Sequence, residues 1–96
     1  MPIKIEGYSF LGPFYHTKYF SNDISCVYIL INKANQIVYV DQTGNINAII
    51  INHPQKTCWI ANGCGDTGLY IYINNDENFR NLLVNLLRAK FSPICT

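Results

Sequence analysis

The sequence predicts a small α/β or α+β domain, a sandwich built on an antiparallel sheet, and three observations lead there. Two β-branched runs, "CVYILIN" at 26–32 and "IVYV" at 37–40, flank the turn-forming "KANQ", which is the pattern of an antiparallel hairpin. A third run, "LYIYIN" at 69–74, alternates with the period of a strand. A capped amphipathic segment follows it. Asn75 or Asp76 precedes Glu77, and Phe79, Leu82, Leu83, Leu86 and Leu87 recur at helical spacing. Arg88 and Lys90 suit the C-terminal end of that helix, and Pro93 lies just past it.

The remaining segments are less regular. Residues 1–25 carry Pro2, Gly7, Gly12, Pro13 and five rings, Tyr8, Phe10, Phe14, Tyr15 and Tyr19, and read as an irregular aromatic-rich arm. In "GNINAIIINH" Asn45 or Asn47 can cap a helix, yet three successive isoleucines favour a strand by propensity. "HPQKTCWIANGCGDTG" reads as a loop anchored by Trp59.

At 96 residues this is one domain. Charged residues are only 14% against 49% hydrophobic, so an apolar contact surface or an oligomer is expected. A net charge of +1 gives no general grip on a phosphate backbone. The N-terminus lacks the apolar core of a signal peptide and no apolar run approaches membrane-spanning length, so the expected compartment is cytoplasmic, with no membrane partner. Cys26, Cys58, Cys64 and Cys95 are then expected as free, buried thiols. Cys58 and Cys64 with His53 have a spacing too irregular for an ordinary zinc site.

"CVY" in the first strand, then "YVD" and "QTGN", "NHPQKTCW", and the closing "NFRNLLVNLLRAKFSPIC" together resemble the GIY-YIG nuclease superfamily, in its small single-domain branch. The match covers 26–96. It implies a three-stranded antiparallel sheet flanked by helices, with residues 46–53 helical. It also implies metal-assisted phosphodiester cleavage, in which a tyrosine activates water, an arginine faces the phosphate and a glutamate holds Mg or Mn. Tyr28, Tyr39 and His53 keep family positions. Cys26 and Asp41 stand where the two motif glycines would be, Ile49 at the arginine, Val84 at the glutamate and Thr96 at the final asparagine. Asp41 adds a side chain and a negative charge where the backbone should approach a polyanion.

The resemblance therefore implies a catalytically inactive member with no metal or other cofactor. It would work as a binding or assembly module through an apolar patch over Ile49 and Val84. Its contact residues are Tyr28, Tyr39, Gln42, Thr43, Ile49, Arg80 and Val84, and its partner is another protein or a second copy. Val84 lies off the centre of the helical stripe, on the flank of Arg80 and Arg88, which expects a solvated or partner-covered face there. The alternative is a metal-dependent endonuclease in which Asp41 replaces the lost glutamate. Of Asp41, Asp66, Asp76 and Glu77, only Asp41 sits beside the tyrosines. A third reading is a nucleic-acid binder that keeps the groove without the chemistry.

Overall fold

The computed structural model of the chain describes residues 3–95. It is an α+β domain whose sheet has five strands, two more than expected. In chain order the elements are β1 (Ile3–Ile5), β2 (Tyr8–Phe14), β3 (Cys26–Ile31), β4 (Ile37–Thr43), α1 (Ile46–Ile49), α2 (Lys56–Ala61), β5 (Leu69–Ile73) and α3 (Glu77–Phe91). The sheet order is β1-β2-β5-β3-β4, with every neighbouring pair antiparallel. No helix among the described residues is long and apolar enough to cross a membrane.

The two extra strands come from the arm expected to be irregular. Two of its breakers, Gly12 and Pro13, sit at a register shift in β2, between Leu11, which faces Ile71, and Phe14, which faces Leu69. Gly12 occupies that shift with φ of +148°, and a Cβ there would lie 2.7 Å from the Leu69 carbonyl oxygen. The glycine and proline thus mark a bulge inside a strand rather than a strand's absence.

β3 runs between β4 and β5 and is buried on both sides. One face carries Cys26, Tyr28 and Leu30, covered by Ile46, Ile50, Trp59 and Phe20. The other carries Val27, Ile29 and Val40, covered by Leu83, Val84 and Leu87 of α3 together with Phe10 and Ile5. The segment 46–53 is neither a strand nor a full helix. α1 is a single turn capped by Asn45, after which Ile50 is buried and Ile51 exposed. Asn47 does not cap: its side chain binds the backbone N–H and C=O of Phe20 and so ties the arm down. The expected loop at 53–68 contains α2, and Trp59, expected to anchor it, is fully buried.

α3 is capped by Asp76, whose carboxylate accepts from the N–H groups of Asn78 and Phe79. Its buried face differs from the expected one. Arg80, Leu83, Val84 and Leu87 point inward, while Leu82 and Leu86 are 69% and 47% exposed. The helix has apolar residues on two faces, and the sheet selects the one whose side chains interdigitate with Val27, Ile29 and Val40. Val84 is therefore covered by this chain's own sheet, not by a partner.

The thiol expectation is also corrected. Cys58 and Cys95 form a disulfide across a separation of 37 residues, and Cys26 and Cys64 remain as buried thiols. The bridge fastens the C-terminal tail to α2, beside a hydrogen bond from Cys95 N–H to the Val38 carbonyl on β4 (2.7 Å).

Two measurements check this packing. In chemical denaturation, Leu87→Ala should lower the unfolding free energy by about 2–5 kcal/mol, whereas Leu86→Ala should cost under about 1 kcal/mol. Replacing Cys95 by serine should remove about 4 kcal/mol, the loop-closure value for a bridge of this span. Reduction of the wild type should lower its melting temperature to match the variant.

Candidate functional site

The β3–β4 register places Tyr28 opposite Asp41 and Leu30 opposite Tyr39, so both tyrosines and Asp41 share the sheet face under α1 and α2. His53, in the loop between those helices, reaches the same face, with its ring 5.1 Å from that of Tyr39 and 4.6 Å from Trp59. Tyr28, Tyr39 and His53 are all buried. The three retained positions of the resemblance do converge.

Their hydrogen bonds form a directed chain. Gln55 N–H donates to His53 Nδ1 (3.0 Å), so in the neutral ring Nε2 carries the proton and donates to the Tyr28 hydroxyl (2.9 Å). The Tyr28 hydroxyl is electrostatically coupled to that of Tyr39, whose ring lies 6.1 Å from its own, and Tyr39 donates to Asp41 Oδ2 (3.0 Å). The other carboxylate oxygen accepts from Gln42 N–H (2.8 Å) and lies 3.6 Å from an Arg88 guanidinium nitrogen. The relay runs from a buried imidazole to a partly exposed carboxylate.

Burial dominates the proton affinities along it. It pushes Tyr28 far up, helped by the charge of Asp41, and pushes Tyr39 up to about 12, with Asp41 adding to the effect and Arg88 opposing it. His53 is lowered by burial, against the opposing pull of Asp41. Cys26 is raised to about 12 and Cys64 to about 11 by the same loss of water. Neither tyrosine is a base poised for neutral pH, and the thiols are inert.

Other expected contact residues are occupied within the chain. Arg80 is buried rather than solvated. Its Nε donates to Gln42 Oε1 (2.9 Å) and another guanidinium nitrogen donates to the Asn74 carbonyl (2.9 Å), on the face opposite the tyrosines. Thr43 closes the turn into α1 with Asn45. Ile49 is half-buried against the tyrosine-side core, whereas Val84 lies on the other face, so the two do not form one patch. A carboxylate at 84 would be buried without water. Thr96 lies outside the described residues. No three His, Cys, Asp or Glu side chains come together as a metal site among the described residues.

Sequence reasoning missed Arg88, expected only as a charge at a helix end. Its guanidinium donates twice to the Val40 carbonyl (2.9 and 3.1 Å) while facing Asp41. It also missed His16, which is buried beside Trp59 with both ring nitrogens, and the Trp59 Nε1, lacking a hydrogen-bond partner among the described residues. No residue spacing announces either arrangement. No family model matches the chain, and neither the curated proteins nor the solved structures gave a match.

The relay has a pH consequence. His53 and His16 both hold their protons less firmly folded than unfolded, so the unfolded state binds more protons and stability rises with pH. Unfolding free energy should be level above the ordinary histidine value of 6.5 and fall as the pH drops below it, until the folded rings themselves protonate. Urea titrations between neutral and mildly acidic pH should show a shallower slope for His16→Leu, and a shallower one again when His53→Gln is added.

Proposed function

We propose that the chain is a non-catalytic GIY-YIG-like domain that serves as a protein-binding or assembly module. The observation that carries this reading is the internal engagement of the polar groups a nuclease site would need free. Tyr28 bonds to His53, Tyr39 donates to Asp41, and both arginines bond to backbone carbonyls. Phosphate-facing groups must have donors left over. Here the guanidinium of Arg88 already faces a carboxylate, and Asp41 presents negative charge to any phosphate arriving there.

The patch imagined over Ile49 and Val84 is replaced in this reading by a neighbouring one. Lys56 Nζ donates to the carbonyls of Ile51 (2.7 Å) and His16 (3.2 Å), which ties the arm to the end of the α1 segment. Ile51, Tyr15 and, one turn along α2 from Lys56, Ile60 are 45%, 58% and 59% exposed. Exposed apolar side chains favour a protein partner or a second copy over nucleic acid. The Cys58–Cys95 bridge favours an oxidising setting over the expected cytoplasmic one.

The test is incubation of purified protein with single- and double-stranded DNA and RNA in magnesium or manganese, beside Tyr39→Phe. The expected result is no cleavage above that of the variant. Cleavage by the wild type that disappears in Tyr39→Phe would overturn the reading and make Asp41 the first candidate metal ligand.

A further inference from the structure

The two edges of the sheet are treated differently. Along β4, the Val38 carbonyl accepts from Cys95 N–H, the Val40 carbonyl from Arg88, and Gln42 N–H donates to Asp41. The β4 edge is thereby closed to another strand. β1, at the opposite edge, pairs only with β2 and has no ladder partner on its outer side among the described residues.

The open edge borders a groove of about 670 Å³, within the range of ligand sites. Its floor is sheet face that α3 leaves uncovered, formed by Ile31, Ile37 and Tyr70. β1 lines one side and Phe91 and Ile94 line the other, 39% and 46% exposed. An ion pair of 3.7 Å between Glu6 and Lys90 joins the end of β1 to the last turn of α3. It neutralises both charges, which leaves Lys4 as the cation on this side of the groove without an ion-pair partner among the described residues.

We propose that β1 and this groove bind an extended segment of another protein as a sixth strand. Cross-strand neighbours share a face, so residues opposite Ile3 and Ile5 turn into the groove and the residue between them meets Lys4. The segment is therefore apolar, acidic, apolar. Main-chain hydrogen bonds to β1 hold it, and the groove and Lys4 select it. A second copy of β1 does not suit: the two-fold pairing that aligns all three residues sets Lys4 against Lys4 of the other copy, and directly opposed like charges repel. The site lies on the sheet face opposite Tyr28 and His53 and stands independently of any nuclease resemblance.

The test is selection of a displayed library of short random peptides on the intact, oxidised domain and on its Lys4→Glu variant. Lys4 is exposed, so the variant keeps the fold. Amide NMR shifts then locate the enriched peptides. The expected result is enrichment of apolar-acidic-apolar triplets by the wild type and of apolar-basic-apolar triplets by the variant, with shifts centred on residues 3–6. Methylating the backbone nitrogens of the bound triplet should abolish binding. No enrichment, enrichment indifferent to Lys4→Glu, or shifts away from β1 would each overturn the proposal. So would binding that survives methylation, or dodecanoate shifting Ile31 and Ile37 when no peptide does, which would make the groove a site for small amphiphiles.

Discussion

β3 is apolar on both sides, and most of the architecture follows from that. A strand with Val27 and Ile29 on one face and Cys26, Tyr28 and Leu30 on the other must be the middle of a sheet with two lids. α3 is one lid. The other is assembled from short pieces, α1, α2 and the arm, because the described residues hold no second long helix. The Asn47 bonds to Phe20 and the Lys56 bonds to Ile51 and His16 knit those pieces together. The double burial also explains the polar cluster. A tyrosine on this strand carries its hydroxyl into the interior, where an unmet hydroxyl costs about 1–3 kcal/mol. His53, Tyr39 and Asp41 lead that hydrogen-bonding demand outward to a carboxylate at the surface. The cluster thereby satisfies a buried hydroxyl.

The tail is held in a way that links the two lids. Cys95 bonds covalently to α2 on one face and through its N–H to β4 at the edge, while Arg88 of α3 reaches β4 from the other face. Edge strands expose unpaired backbone groups, and this one is closed from both sides. Had the tail been left free, β4 would present an open ladder next to an apolar hairpin. The contrast with β1, short and bare, is why the two edges carry different expectations for partners.

Legibility tracked how local the determining interactions are. The hairpin at 26–40, the strand at 69–73 and the helix from Glu77 were readable because periodicity and an Asp76 cap are properties of adjacent residues. β1 and β2 were not, since Gly12 and Pro13 look like breakers until β5 is present to form the bulge around them. α2 was hidden by Pro54 before it and by Gly63, Gly65 and Gly68 after it. The buried face of α3 was misjudged because Leu82 and Leu86 are as apolar as Leu83 and Leu87, and only the sheet distinguishes them.

For the site, the sequence by itself determined which chemistries were on offer: two strand tyrosines, a histidine and the carboxylate of Asp41. The three isoleucines at 49–51, which favoured a strand by propensity, end in three different environments, half-buried, buried and exposed. Only the tertiary structure decided that Val84 lies on the far face from His53, that Arg80 is buried against Gln42, and that Cys58 meets Cys95. The reason is physical. Alternation along a strand assigns residues to two faces, but which helix covers which face, and which distant thiol arrives there, depends on packing between segments that share no local signal.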